Sequence, residues 1–337
     1  MNAKRWLSGA AAVAVSGALL WFAFRNVDVS EFLRILRGTR TVWLIPAVLF
    51  MLLDLCLRTL RWVLLLAPVS PAPFWALFRL ECVGLGLNNL LLLRLGEFAR
   101  GYFTSKTLKV PLWSVMATIL VERLTDVLAL FTLFALVSRW SPAPLPAVLV
   151  FGAVGIAAAA ILLLFGVSTV EHILERFEWW RRLEGSHPRL HLLIRELIVG
   201  TRSLRSLPRA LAVAALSYGL WLSDAASFCV VARALGFDPP LQMLSSVVVL
   251  ASAAAASALP SLPGAFGNFE AGVKAMLVHH GYGADLAVVY ATLVHAVGYV
   301  LVTSLGLFFL HRFGYSLSGL GRSLGAAKSE AEKEPVP

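Results

Sequence analysis

The chain reads as a succession of apolar runs separated by short polar breaks. The runs fall at about 7–24, 42–66, 76–93, 112–138, 145–167, 210–235, 241–259, 264–280 and 285–310. Each is close to or above the roughly 20 apolar residues that a helix needs to cross a hydrocarbon core of about 30 Å. Backbone amides find no water inside a bilayer, so such runs must satisfy themselves as helices. The alternation of a membrane β-barrel is missing. The pattern predicts an all-α fold, a polytopic membrane bundle of about eight transmembrane helices with one or two re-entrant or broken helices.

Two interruptions stand out against this background. Arg94-Leu95-Gly96-Glu97-Phe98-Ala99-Arg100 follows directly on the run that ends at Leu93, and Gly84, Gly86, Gly96 and Gly101 surround it. In the second half, Pro260 through Glu270 carries two prolines and two glycines, and a helix is expected to restart at about Asn268. An interruption in each half, each ending near a glutamate, suggests an inverted repeat around a central site. The polar interval 168–209, with Trp179 and Trp180, reads as a cytoplasmic amphipathic linker. It separates an N-terminal transmembrane half, 1–167, from a C-terminal half, 210–311, and a disordered cytoplasmic tail is expected over 312–337.

Composition changes the picture only in part. Of 337 residues, 59% are hydrophobic and 14% charged, and the mean hydropathy is +0.80. The net charge of +10 could point to nucleic acid, but the basic residues flank apolar runs. An excess of Lys and Arg on cytoplasmic loops accounts for it better. With the linker inside, Ser138–Pro146 and Gly236–Gln242 lie outside and Lys106 and Lys109 inside. Both termini are then cytoplasmic in a bacterial-type inner membrane, provided that the stretch from 76 to 103 enters and leaves on one face. The loop from Arg25 to Arg40, with four arginines, lands outside against that rule. Lys4-Arg5 before an apolar run resembles a signal peptide, but a retained helix fits its length and lack of a cleavage site. Cys56, Cys82 and Cys229 are spread over separate runs, and His187 and His191 have no third partner nearby, so no metal site and no disulfide framework is expected.

An ionised side chain near the centre of a bilayer costs about 3 kcal/mol or more, so such groups usually face a protein interior or a wet cavity. Asp54, Arg58 and Arg61 share one helical face, and Asp54 can pair with Arg58 four residues on. Arg61 and Trp62 also suit an interfacial anchor. Arg94, Glu97 and Arg100 recur every three residues, which lets Glu97 bridge either arginine. Asn88 and Asn89 add amide groups just before. Glu122 and Asp126 lie one turn apart, with Arg123 within reach of Asp126. Proton coupling through Glu122 and a static ion network are both open. At the second interruption, Pro263, Gly264 and Gly267 break the chain, and the helix N-terminus after them suits a phosphate or carboxylate, with Glu270 as an alternative dipole partner.

In this order, the stretches Leu57-Arg58-Thr59-Leu60-Arg61-Trp62, Asn88-Asn89 through Arg100, Glu122-Arg123-Leu124-Thr125-Asp126 and Pro260 through Glu270 resemble the transmembrane region of lysylphosphatidylglycerol synthases, a flippase-like family. The likeness spans most of the chain. Two departures concern turns. Leu92 stands where the family usually has a proline, and Gly264-Ala265 where it usually has a double glycine. The resemblance implies a lipid-handling membrane domain, associated in full-length synthases with translocating the modified lipid. The soluble aminoacyl-transfer domain has no counterpart in this sequence, so the synthase activity is not carried over. Relatives linked to hopanoid or glycolipid pathways leave a phospholipid, a hopanoid or a glycolipid as the lipid partner.

The expected function is therefore to bind a polar or anionic lipid headgroup within the membrane and move the lipid between leaflets. Arg94, Arg100 and Arg58 would hold the headgroup, with Glu97, Glu122 and Asp126 setting orientation and charge. Arg61, Arg123, Pro263, Gly264, Gly267 and Glu270 complete the candidate set. No catalytic residue, metal or cofactor is expected. Two alternatives are an intramembrane glycosyl- or acyl-transferase using Glu122 or Asp126 as base, and a scaffold that recruits lipid-biosynthesis enzymes through the 168–209 surface.

Overall fold

The apolar runs fold as helices. The computed structural model describes residues 3–25, 27–91, 95–138, 146–174, 185–186, 195 and 202–314. Arg94, Trp179, Trp180, the His187/His191 pair, most of the linker and the tail from 315 onward lie outside the described residues. Among those described there is no strand. The helices are α1 (Ala3–Phe24), α2 (Val29–Arg37), α3 (Leu44–Leu66), α4 (Phe74–Leu90), α5 (Leu95–Leu108), α6 (Leu112–Val137), α7 (Ala147–Leu174), α8 (Leu207–Ala234), α9 (Met243–Ser257), α10 (Asn268–His279) and α11 (Ala284–Arg312).

Length and composition alone mark three described segments as able to cross a membrane: Thr41–Leu66, Leu207–Ala234 and Ala284–Arg312. Helix α6 is long enough, but it carries Glu122, Arg123 and Asp126 in its middle. Helices α4 and α5 have 17 and 14 residues, and α9 and α10 have 15 and 12. At about 1.5 Å per residue, none reaches the roughly 30 Å of a hydrocarbon core. Each pair packs on itself as a helical hairpin. The two interruptions are thus the tips of two short hairpins.

The packing repeats. Among these eight helices, exchanging α3–α6 for α8–α11 carries the contacts onto one another: α4 on α11 answers α9 on α6, α5 on α6 answers α10 on α11, and α6 on α8 answers α11 on α3. The exchanged pair α3 and α8 run antiparallel. Arg40 N–H donates to the Ala234 carbonyl, Ser223 Oγ to the Phe50 carbonyl, and Arg61 to Ser217 Oγ, so one number rises as the other falls. Equivalent helices of opposite direction make the repeat inverted. One apolar core surrounds the first hairpin, with Trp62, Leu77, Leu87, Phe103 and Ile119. Another surrounds the second, with Phe134, Phe228, Val248, Leu277 and Tyr290.

The structure departs from the sequence reading at the arginine-rich stretch after α1. Instead of a loop, it holds the two-turn helix α2. Asp28 caps it by accepting from Ser30 N at 2.8 Å and Ser30 Oγ at 2.6 Å, which holds its carboxyl below the ordinary value. Glu31 is also lowered, chiefly through its bond to Arg34. Val29, Leu33 and Leu36 are exposed on this helix while Arg34 pairs with Glu31. A short amphipathic element of this kind keeps its arginines in water and its apolar face on the membrane surface.

Candidate functional site

Four helices of the first half and one of the second meet in a buried ion network. Helix α3 places Asp54, Arg58 and Arg61 on one face. Arg58 Nε donates to Asp54 Oδ2 at 2.7 Å, the i, i+4 pair that the spacing suggested. Arg61 is fully buried; it donates to Asp126 Oδ1 at 2.6 Å and Ser217 Oγ at 3.0 Å, and lies 3.6 Å from Glu122. Trp62 donates its indole N–H to Thr118 Oγ1 at 3.2 Å. A position that suited an interfacial anchor is therefore interior.

Arg100 links the hairpin to α6. It bonds Glu81 of α4 and Glu122 of α6, the latter through Nη2 at 3.1 Å, and its guanidinium lies 4.3 Å from the centre of the Trp62 ring. Gly84 makes this possible. A Cβ there would lie 2.8 Å from Arg100 Cβ, so α5 approaches α4 closely enough for Arg100 to pass over it. Arg123 bonds Glu122, lies 3.3 Å from Asp126 Oδ2 and 3.8 Å from Glu97 Oε1. Its side chain is 28% exposed and that of Glu97 25%, whereas Arg61, Glu81, Arg100 and Glu122 are 2% or less. Arg123 and Glu97 form the open rim of an otherwise closed network.

Some donors and acceptors inside the network have no hydrogen-bond partner: Nε and Nη2 of Arg61, Nε of Arg100, Oδ2 of Asp126 and Oδ1 of Asp54. Beside the network, a cleft of about 110 Å³ opens between α6 and α8, lined by Thr125, Leu128, Ala129, Val213, Ala214 and Ser217. Ser217 is shared by the cleft wall and the bond to Arg61.

Two members were not anticipated from sequence. Glu81 is fully buried on α4, and Asp224 on α8 adds a carboxylate whose field reaches Asp54 and Arg58. Each is a single acid inside an apolar run, and that expense was the signal available. Trp221 of α8 also lies against Arg58, with 5.6 Å from guanidinium to ring centre.

The second-half candidates form a separate cluster. Pro263–Ala265 make one 3-10 turn, with Gly264 and Gly267 at φ of 72° and 87°, a region that glycine enters without a Cβ clash. The N-terminus of α10 is already filled: Glu270 Oε2 accepts the Gly267 N–H at 2.7 Å. Ser16 of α1 accepts from Leu262 N–H at 2.7 Å and donates to Asn268 Oδ1. The two interruptions meet at Tyr299, halfway along α11. Its hydroxyl donates to the Asn89 carbonyl at 3.4 Å, and a Cβ on Gly264 would lie 2.7 Å from its ring. Asn89 also donates to Thr303 at 3.0 Å.

Among the described residues no group of His, Cys, Asp and Glu is placed to hold a metal. The family model described as the lysylphosphatidylglycerol synthase TM region matches residues 9–306, from within α1 into the last turns of α11. No curated protein and no solved structure matches the chain.

Proposed function

This chain belongs to the lysylphosphatidylglycerol synthase transmembrane-region family, a membrane protein related to lipid metabolism, and from that premise we propose that it binds a lipid headgroup at the rim of the ion network and carries the lipid between leaflets. The observation that carries the reading is the graded exposure of the network. Arg61, Arg100, Glu81 and Glu122 lock the helices together, while Arg123 and Glu97 reach a surface. A guanidinium presents a fork of donors that matches a phosphate, and a neighbouring carboxylate accepts from a hydroxyl or ammonium group. Arg58 and Asp54 extend the polar surface toward Trp221, and the apolar cleft beside Ser217 suits an acyl chain.

In this reading both hairpins are re-entrant, entering from opposite faces of a bacterial-type inner membrane, and both termini are cytoplasmic. Arg94, which lies outside the described residues, joins the headgroup set by its position in the sequence alone. Lipid movement is favoured over transferase chemistry because Glu122 and Asp126 are each held by three arginines. Both carboxylates are thus committed to charge pairing within the network.

The test uses liposomes that contain the purified full chain and a fluorescent short-chain phosphatidylglycerol. Arg123→Ala and Glu97→Gln should slow translocation by about tenfold or more, the worth of one charge-assisted hydrogen bond, and Glu97→Gln, which touches only the exposed rim, should leave Tm unchanged. Normal rates in both variants would remove the rim from the mechanism. A change in the mass of the lipid during the assay would replace transport with catalysis.

A further inference from the structure

The second hairpin carries an ionisable pair that the headgroup reading does not use. His295 of α11 faces an acceptor with each ring nitrogen. Nδ1 lies 2.5 Å from Glu270 Oε1, and Nε2 lies 2.8 Å from the Gly264 carbonyl oxygen. A carbonyl only accepts, so Nε2 must carry a hydrogen. The short Nδ1···Oε1 contact then needs one more proton, on the nitrogen or on the carboxyl. With that proton removed, a ring lone pair would face a carboxylate at 2.5 Å, and the contact would become repulsive. The side chains are 11% and 5% exposed, so little solvent is at hand to relieve it.

This contact closes a piece of backbone. His295 holds the carbonyl of left-handed Gly264, and the other oxygen of Glu270 holds the Gly267 N–H. The pair therefore ties both ends of the 264–267 turn to the middle of α11. The rings of Phe266 and Phe269 lie 4.8 and 4.5 Å from the imidazole and hold it in place.

We propose that Glu270 and His295 form a proton-binding site that latches the second hairpin: one proton, taken from water, closes the tip onto α11, and its return to water frees the tip. The other charged groups nearby are committed elsewhere. Lys274, one turn along α10, donates to the Ala23 carbonyl at 2.7 Å, and the Asp285 carboxylate of α11 acts on that lysine. Tyr299 of α11 bonds Asn89 of α4, α1 presents the neutral Ser16, and α9 contributes no ionisable residue. On α8 and α3, Asp224, Asp54 and Arg58 act on one another. The proposal stands on this geometry alone and holds whichever lipid the chain carries. In a transporter of two inverted hairpins, such a latch would tie opening of one side to release of a proton.

Hydrogen exchange of the intact purified protein tests it, read by mass spectrometry on peptides covering 258–270 and normalised to an unstructured peptide at each pH. From about pH 5 to about pH 9, a range that spans ordinary histidine titration, protection of the wild-type tip should fall about tenfold or more as the charge-assisted bond is lost. Glu270→Gln should stay protected throughout, because its amide donates to Nδ1 while its oxygen still accepts from Gly267. His295→Phe should be unprotected throughout. A wild-type tip whose protection ignores pH, or a Glu270→Gln tip that titrates as wild type does, would overturn the proposal. If His295→Phe does not fold, those two measurements still decide it.

Discussion

The two hairpin tips solve one problem by different means. Irregular backbone at membrane depth must find partners inside the protein. Around the first tip the chain uses full charges: Arg100 joins Glu81 and Glu122 across three helices, and Arg61 and Arg123 extend the web to Asp126. Around the second it uses mainly neutral groups, with Ser16, Asn268 and the Gly267 amide bonded in place and one histidine–glutamate pair closing the turn. Ion webs are rigid and costly to break, whereas neutral hydrogen bonds are worth about 1 kcal/mol each. Under the proposed function, the first hairpin would supply fixed structure and a headgroup rim, and the second the movement.

The largest effect should follow loss of Arg100. Arg100→Ala leaves Glu81 and Glu122 buried without their shared cation, and breaking a buried pair typically costs about 3–5 kcal/mol. We expect a strongly lowered Tm in detergent and poor yield. Neutralising the stranded acid in the same background, as Glu81→Gln, should recover part of that loss, whereas Glu122 keeps Arg61 and Arg123. If Arg100→Ala melts like the wild type, the first hairpin is not held by charge and the contrast between the tips disappears.

Much of this contrast could be read from the sequence, and the missing part has physical reasons. The long helices follow the apolar runs, and α10 starts at Asn268 because the prolines and glycines before it cannot continue a helix. Asp54 with Arg58 was visible because i, i+4 neighbours meet in any helix. Arg100 with Glu81, 19 residues apart, was not, because that contact exists only once the hairpin has closed. His295 with Glu270 needed the packing of α10 on α11 for the same reason. Helix α2 was missed because nine residues with a charged face resemble a loop until Asp28 is seen to cap them. The two interruptions suggested the inverted relation of the halves, and the antiparallel course of α3 and α8 adds what their weakly similar sequences could not.

A middle-sized effect separates the hairpins by coupling. Each has a glycine where its two helices touch, and in the first hairpin Gly96 is a second. A Cβ on Gly84 would meet Arg100 Cβ at 2.8 Å, and a Cβ on Gly272 would meet the Ser252 carbonyl oxygen at 2.8 Å. Overpacking of this kind costs about 1–3 kcal/mol, so Gly84→Ala and Gly272→Ala should lower Tm by similar amounts. Only Gly84→Ala displaces a charged partner. Arg100→Ala keeps the Cβ but removes the Cδ and Cγ that a Cβ on Gly84 would meet at 3.0 and 3.2 Å, so in that background part of the cost should disappear, while that of Gly272→Ala should add unchanged. Equal additivity in both hairpins would mean that Gly84 serves packing alone.

The smallest effect tests the turn of the second hairpin, at the position where the family usually has a second glycine. Ala265 has a φ of 59°, in the left-handed region where a Cβ crowds the following carbonyl. That conformation costs an ordinary residue about 1–2 kcal/mol, and glycine enters it freely. Glycine in turn loses about 0.5–1 kcal/mol more on folding, because its unfolded chain is freer. The first quantity exceeds the second, so Ala265→Gly should stabilise the protein by about 0.5–1 kcal/mol, visible as a small rise in Tm. The same change should also flatten the pH response of the tip, since a turn without strain needs less help from the His295–Glu270 latch. A lowered Tm would show that Ala265 holds the turn by packing, and the difference between the two tips would then rest on the latch alone.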